Sequence, residues 1–415
     1  MLNQNLLLAD GGYNLTKSLR FRSSASAYLS RTPSSSGNQQ KFTLSVWLKL
    51  GSFAIGIDSF IWASSDAASG GVNPTLLWKT FNGTYTFIFD YGTGGTLVTN
   101  AVFRDPSSWY HVVINVDSTQ STASNRTAIY VNNVLQTYST ATYPTQNTNF
   151  LINTSSYSAR LGGALISGST SRFFDGYMAE VNFIDGQALT PSSFGSTNAT
   201  TGVWQPAKYN GTYGTNGFYL KFTDTTSTST LGNDFSGNGN TWTVNNISLT
   251  AGSTYDSMTD VPTLTSATTA NYCVLNPLDT GGTAPLNGNL TFTAGAAEQG
   301  VRSTIAIPTT GLFYAEFLVG TNQSGAVDIA FGLASSTTNL TATPLGASNV
   351  WAIYCSATAQ ITRNGSTTSA GAGTALVSGD ILQLAVDLAN NKGWVGKNNT
   401  WFNGSTGTDG NPSAG

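Results

Sequence analysis

Charge is scarce in this chain. Asp, Glu, Lys and Arg make up 9% of 415 residues, 17 basic against 20 acidic, for a net charge of −3. No basic stripe exists to neutralise a phosphate backbone, which argues against nucleic-acid binding. Histidine occurs once, at His111, and cysteine twice, at Cys273 and Cys355, so neither metal-ligand nor disulfide-framework spacing is present. Glutamate is limited to Glu180, Glu298 and Glu316, and none belongs to a closely spaced acidic cluster. The paired carboxyls of glycoside hydrolysis therefore have no signature here, and no catalytic residue is assigned. No run of about 18 apolar residues offers a helical membrane span, so membrane insertion is not expected. A signal peptide's basic start is also missing: Leu6-Leu7-Leu8 is short and the nearest lysine is Lys17. These absences fit a chain made and kept in a reducing cytoplasm, or released from it by lysis.

Aromatics, by contrast, reach 11%, enough for real cores, and Gly, Thr, Ser and Asn fill much of the remainder. Those residues favour strands and turns, so the chain reads as all-β. Its organising stretch is 173–194. Tyr177, Ala179, Val181 and Phe183 alternate with Met178, Glu180, Asn182 and Ile184, a half-buried strand with one apolar face. Asp185-Gly186 breaks it, and Thr190-Pro191 reads as an N-cap opening one helical turn at 192–194. Upstream, 42–50 alternates and aims Phe42, Leu44, Val46, Leu48 and Leu50 at a core, with Trp47 opposite. Asn82-Gly83 between 76–81 and 84–89 predicts a type I′ hairpin with Tyr85, Phe87 and Phe89 on one face. Residues 109–116 read as a strand, and 127–137 as a hairpin turning at Asn132-Asn133. An apolar patch, Leu2 with Leu6 to Leu8, opens the chain.

Residues 201–262 are rich in Gly, Thr, Asn and Ser, yet hold Trp204, Tyr209, Tyr213, Phe218, Tyr219, Phe222, Phe235 and Trp242. At ~25 cal/mol per Å² of apolar surface these are too many aromatics to leave wet, so this connector is expected to pack on a neighbour. From 263 a second series of strands follows: 311–317, 327–334, 351–355, 380–387 and 392–402.

The order FTLSVWLKL, WYHVVINVD, TAIYVNNVLQT, ARLGG, FDGYMAEVNFIDGQALTP resembles a laminin-G-like, concanavalin-A-like jelly roll over roughly residues 15–200. Gly176, Glu180 and Leu189-Thr190-Pro191 match its closing motif. The later series, with Gly379-Asp380 before a strand ending in Asp387 and then Trp394 and Trp401, resembles a SPRY domain. It departs at Asn399, where Gly is expected, and stops short of that sandwich's last strands. The resemblance implies two concanavalin-A-like jelly-roll β-sandwiches joined by an aromatic-rich connector, with domains at 1–200, 201–262 and 263–415. The tandem, with its SGNGNTW connector, is similar to virion proteins of tailed bacteriophages. It implies a non-enzymatic tail-fibre or capsid-decoration protein on the virion surface, binding host-surface polysaccharide through sandwich loops. Other virion proteins are the implied partners, and a homo-oligomer, a trimer above all, the implied state, although no heptad or collagen repeat drives one. A polysaccharide depolymerase using Glu180 or Asp175, and a purely structural particle protein, are the alternatives.

For a ligand site the candidate is Tyr91, whose neighbours Gly92 and Gly94-Gly95 would let a sugar approach; core packing is its commoner fate. Glu180 and Glu316 read as solvent-facing or edge residues, Asp175 and Asp185 as turn formers, and His111 as a sheet-face histidine. Cys273 and Cys355 read as core residues. Asp58, Asp66 and Asp90 lie in or beside predicted loops and are the candidates for calcium, the one ion the resemblance brings in. No dense oxygen-ligand loop supports it, and neither metal nor cofactor is expected.

Overall fold

The alternation at 42–50 becomes the strand Lys41–Leu50, with Phe42, Leu44, Val46, Leu48 and Leu50 all in one core and Trp47 on the opposite face. The structure, a computed structural model, describes residues 12–51, 58–65, 72–79, 84–92, 95–266, 268–293, 299–320, 329–341, 347–355, 359–369, 377–402, 410 and 412–414. The chain divides into two compact units, Met1–Pro277 with Ala284–Phe292, and Leu278–Thr283 with Thr293–Gly415.

In the first unit, Lys41–Leu50 pairs antiparallel with Trp109–Asp117 on one side and Gly176–Asp185 on the other. Thr127–Val131 and Val134–Leu135 extend the sheet beyond Trp109–Asp117, and Ser18–Phe21 and Ser257–Met258 extend it beyond Gly176–Asp185. A second eight-stranded sheet runs in the order Tyr138–Thr142, Thr96–Thr99, Thr86–Asp90, Val72–Lys79, Asp58–Ser65, Ser158–Leu161, Tyr28–Arg31, Thr243–Asn245. The two sheets share one core, with the Trp62 ring 6.4 Å from Phe42 and 5.7 Å from Phe183. This is a sandwich closed by alternating side chains.

Turn chemistry sets the ends of these strands. Asn132 and Asn133 take φ of 47° and 68°, as a two-residue hairpin requires, and join Thr127–Val131 to Val134–Leu135. Leu76 pairs with Phe89 and Lys79 with Thr86, and Tyr85, Phe87 and Phe89 share the core; Asn82-Gly83 lies outside the described residues, as do Leu2 and Leu6 to Leu8. Gly186, at φ 90°, turns the chain after Asp185. The helical turn is a 3₁₀ turn at Pro191–Ser193, one residue earlier than the sequence suggests. Thr190 does not cap it with its side chain; its hydroxyl pairs with Ser192 Oγ at 2.9 Å instead.

The strand Gly176–Asp185 is buried at every position, not on one face only. The cause is the connector. Phe218–Leu220 pairs with Val181–Phe183, Thr243–Asn245 with Tyr28 to Ser30, and Ser257–Met258 with Ser18 and Leu19. Residues 201–262 thus add strands to both sheets and cover the outer face of the first. There Trp47, Trp109, Tyr177 and Ala179 pack with Leu15 and Val261, and Val113 and Ile184 with Phe194. Two buried ion-pair clusters hold the tail of this cover. Arg20 and Arg22 both reach Asp256, at 3.0 and 2.8 Å. Lys49, with no exposed side-chain surface, places Nζ 2.7 Å from Asp260 and 2.8 Å from Asn271 Oδ1. The unit therefore runs past 263, to Pro277.

The second unit contains two four-stranded antiparallel sheets. One is Leu312–Leu318, Ile381–Asp387, Lys392–Lys397, Thr400–Trp401; the other is Ile329–Ala334, Val350–Cys355, Ala359–Arg363, Ser366–Ser369. They share a small core of Ile353, Leu382, Leu384, Val386 and Val395, with Phe317 and Phe331 stacked at 5.6 Å. The strands expected at 311–317, 351–355 and 380–387 are present to within a residue; 392–402 divides into the hairpin strands Lys392–Lys397 and Thr400–Trp401, and of 327–334 the described part forms Ile329–Ala334. The hairpin at 359–369 was not read from the sequence; its Asn364-Gly365 turn, with φ of 50° and 76°, is the signal that could have found it. Asn399 serves where Gly is expected: it takes φ of 64°, and Asn tolerates that region.

Candidate functional site

The pairing of Gly176–Asp185 with Lys41–Leu50 contains one irregularity. Ala179 lies opposite Trp47 and Asn182 opposite Ser45, so Glu180 and Val181 together face Val46, a β-bulge. Glu180 takes φ of 51°, a left-handed conformation that costs a non-glycine residue about 1 kcal/mol. On the far edge of the same strand the partner changes at this point: Ser18–Phe21 pairs as far as Met178, and Phe218–Leu220 begins at Val181. The bulge therefore turns Glu180 into the gap between two neighbouring strands.

Tyrosines close that gap. Tyr219 Oη donates to the Glu180 carboxyl, 2.6 and 2.8 Å from its two oxygens, and Tyr13 Oη donates at 3.2 Å. Glu180 is 7% exposed. Burial pushes its carboxyl up to about 7, against the lowering effect of the Tyr219 and Tyr13 hydrogen bonds and the Lys221 charge. Burial and the Glu180 charge in turn hold Tyr219 far above the usual phenol range.

Above Tyr219 lies a surface groove of about 340 Å³ whose aromatic lining is Tyr209, Tyr213, Tyr219 and Phe235. Tyr213 and Tyr219 stack at 6.3 Å with 13° between planes, and Tyr209 meets Tyr213 edge-on at 5.1 Å. Phe235 is the open ring, 42% exposed. Lys208 and Lys221 also line the groove, together with Asn210 and Ser236. Lys221 Nζ stands 5.2 Å from the Phe235 ring centre and 5.9 Å from that of Tyr219, within cation–π range.

The connector builds this groove with its own polar groups. Tyr213 Oη donates to Asn182 Oδ1 at 2.8 Å, and the Tyr213 carbonyl accepts from Asp185 N. Asp234 accepts from the backbone N–H of Tyr219, Ser236 and Asn240, each at 2.8 Å, which fixes the loop carrying Phe235. The SGNGNTW motif, residues 236–242, now has a physical role. Asn238 Nδ2 donates to the carbonyls of Gly214 and Gly217, and Asn240 Nδ2 to those of Thr215 and Gly217, clamping the turn behind Tyr213. Gly217 is required there, because a Cβ would come within 1.9 Å of the Tyr213 carbonyl. Trp242 anchors the motif in the core, 4.9 Å from the Phe218 ring. A second cavity, lined in part by Arg31, Trp62 and Trp242, has about 20 Å³, room for a water and not for a larger ligand.

The residues singled out in the sequence are dispersed. Tyr91 is a core residue, 4% exposed, with its ring 5.5 Å from Phe89 and 5.7 Å from Phe150 and its hydroxyl donating to the Thr142 carbonyl. It presents no open face for stacking. Glu180 is buried rather than solvent-facing, because the bulge turns it inward; Glu316 is exposed, and Glu298 lies outside the described residues. Asp175 accepts from Ser23 N and from Asn287 N, both at 3.1 Å, and Asp185 from Asn38 N, Asn153 Nδ2 and Asn216 N. Both are buried tethers between loops.

His111 is fully buried between Trp47, stacked at 4.8 Å, and Trp204. Trp204 Nε1 donates to Nδ1 at 3.0 Å, so the proton sits on Nε2, which donates to Ser45 Oγ at 2.8 Å. Burial holds its pKa down to about 3. Cys273 is exposed, not in the core, because the chain at 271–273 runs along the surface; the Cys355 side chain lies outside the described residues. Asp58 pairs with Arg172 at 2.8 Å and Asp90 accepts from Gly92 N, at opposite ends of their shared meander; Asp66 lies outside the described residues. The groove itself was missed. Its aromatics were all visible in 201–262, but nothing in the sequence says which of them stays open.

Residues 23–194 match the Laminin_G_3 family, described as the Concanavalin A-like lectin/glucanases superfamily. That span carries the laminin-G-like, concanavalin A-like sandwich. No curated protein matches the chain. Among solved structures, a candidate carbohydrate-binding protein from Bacteroides ovatus is 19% identical at a TM-score of 0.37, covering 56% of this chain and 59% of that one. The chain thus spans about three fifths of that protein's length. Mouse laminin alpha1 chain domains LG4-5 are 12% identical at 0.34, covering 94% and 78%. A pentraxin from Limulus polyphemus is 13% identical at 0.31, covering 43% and 80%. At these identities and scores none of the three bears on the function of this chain.

Proposed function

We propose that the chain is a non-enzymatic, saccharide-binding structural protein of a virion surface, a tail fibre or capsid decoration of a tailed bacteriophage. The observation that carries the binding half is the groove over Tyr219. Its volume lies at the lower end of the roughly 300–1,000 Å³ typical of small-ligand sites. Its aromatic rings suit the C–H faces of a sugar, while Asn210 supplies an amide for its hydroxyl groups; the Ser236 hydroxyl is taken up by Asp234 Oδ2 at 2.8 Å. The lectin-containing superfamily matched over 23–194 supports saccharide binding by the chain; the groove itself, lined by residues 208–236, lies outside that span. Docking moves from the sandwich loops to the connector, where Phe235 is the open ring. The virion placement rests on the resemblance of the laminin-G-like, SGNGNTW and SPRY-like order. A homo-oligomer, a trimer above all, would let several weak grooves act together on one host polysaccharide.

Titrating purified protein against immobilised host-envelope polysaccharide tests this. Wild type is expected to bind, and Phe235→Ala to bind about tenfold more weakly, the loss of one ring contact of ~1.4 kcal/mol. Equal binding by both would remove the groove from the account. One observation favours a depolymerase instead: a carboxyl held near 7 suits a general acid. The chemistry needs a second carboxyl, and the Asp234 carboxylate beside the groove is taken up by backbone N–H groups. Release of reducing ends in the same incubation, lost in Glu180→Gln, would decide for the enzyme.

A further inference from the structure

The groove's charge narrows its ligand. Lys208 is exposed and Lys221 half-buried, and neither forms a salt bridge among the described residues. Among the described residues Lys41, Lys49 and Lys397 each face a carboxylate within 4 Å, whereas Lys17, like the groove pair, forms no salt bridge. The two nearby acids do not neutralise the pair from the groove side. Glu180 lies behind the Tyr219 hydroxyl, and Asp234 is turned to three backbone N–H groups. What touches the Lys221 ammonium is ring faces, those of Phe235 and Tyr219.

From these positions we infer, resting on the saccharide-binding reading above, that the groove takes an anionic saccharide, with a ring against Phe235 and Tyr213 and a carboxylate or sulfate at Lys208 and Lys221. The arrangement has a physical logic. An ammonium over an aromatic ring keeps its charge available on the solvent side, and the ring beneath excludes water from one flank of an arriving anion. A neutral sugar would gain the stacking alone. An acidic sugar gains in addition a charge-assisted hydrogen bond, which is stronger than its neutral counterpart.

The test uses matched probes: oligogalacturonate against its carboxyl-reduced form, and sulfated against unsulfated dextran oligomers, titrated into the full chain by calorimetry. At least one acidic member is expected to bind roughly tenfold or more tighter than its neutral match. That preference should shrink as salt rises from about 50 to about 500 mM, and approach one in the Lys208→Gln/Lys221→Gln double variant. Both side chains reach solvent, so the urea midpoint of the variant should match wild type and confirm its fold. Neutral members binding as well as acidic ones would overturn the acidic preference and leave the saccharide reading standing. Binding of no member would overturn both, and a preference that survives in the double variant would overturn the assignment to these lysines.

Discussion

Lys49→Ala should lower the unfolding free energy by about 3–5 kcal/mol, the usual effect of stripping one partner from a buried ion pair. The Lys49 side chain has no exposed surface, and its ammonium serves Asp260 Oδ2, Asn271 Oδ1 and the Tyr272 carbonyl at 2.7, 2.8 and 2.5 Å. Removing it leaves the buried Asp260 carboxylate without its counter-charge, while Asn271 and Tyr272, on the surface, can turn to water. Asp260 keeps only the Trp109 indole N–H at 3.0 Å and the Tyr272 N–H at 3.3 Å. The pair is not intrinsically strong, since desolvation opposes it; the loss comes from leaving one charge alone. The double variant Lys49→Met/Asp260→Leu should therefore recover part of the loss of the single one. Urea unfolding followed by tryptophan fluorescence measures both. A loss below about 1 kcal/mol for the single variant would show that this pair does not hold 256–272 on the sheet.

The second large effect is in pH. Glu180 moves from an ordinary 4.5 to about 7 in the fold, so the folded chain binds more protons than the unfolded one between those values. Its contribution to stability is full below 4.5 and is lost as pH rises through 7. His111 moves from 6.5 down to about 3, so the folded chain binds fewer protons across that range. Its contribution is full above 6.5 and is lost as pH falls toward 3. Each changes stability by about 1.4 kcal/mol per pH unit, with opposite signs. In the shared window, 4.5 to 6.5, they cancel, and wild type should show a near-flat profile. Glu180→Gln keeps the shape of the buried group without its proton. Its stability should rise with pH across the window, by roughly 3 kcal/mol in all. His111→Asn should reverse the slope, and where that variant does not fold Glu180→Gln decides alone. A wild-type profile unchanged by Glu180→Gln would mean that the carboxyl is not buried in the gap beside Tyr219.

The sandwich was legible because its information is local. Period-two alternation in 42–50 and 109–116, and the asparagine turn at 132–133, depend only on neighbours along the chain. The bulge at Glu180 was not legible, because it arises where two different strands, 18–21 and 218–220, share one edge of a third. That is a property of the assembled sheet. For the same reason alternation misread Gly176–Asp185 as half-buried, since its outer face is covered by residues far along the chain. Composition showed that 201–262 must pack, and it does. It could not separate Trp242, which fills the core, from Phe235, which stays open seven residues earlier.

The groove can be located without any substitution. Hydrogen exchange read by mass spectrometry, with and without a mixture of oligogalacturonates and neutral galactan oligomers, reports which backbone segments the saccharide covers. Slower exchange in peptides spanning 207–221 and 233–240, with 88–99 unchanged, is the expected pattern. Protection around Tyr91, or protection only on the second unit, would contradict a saccharide site built by the connector.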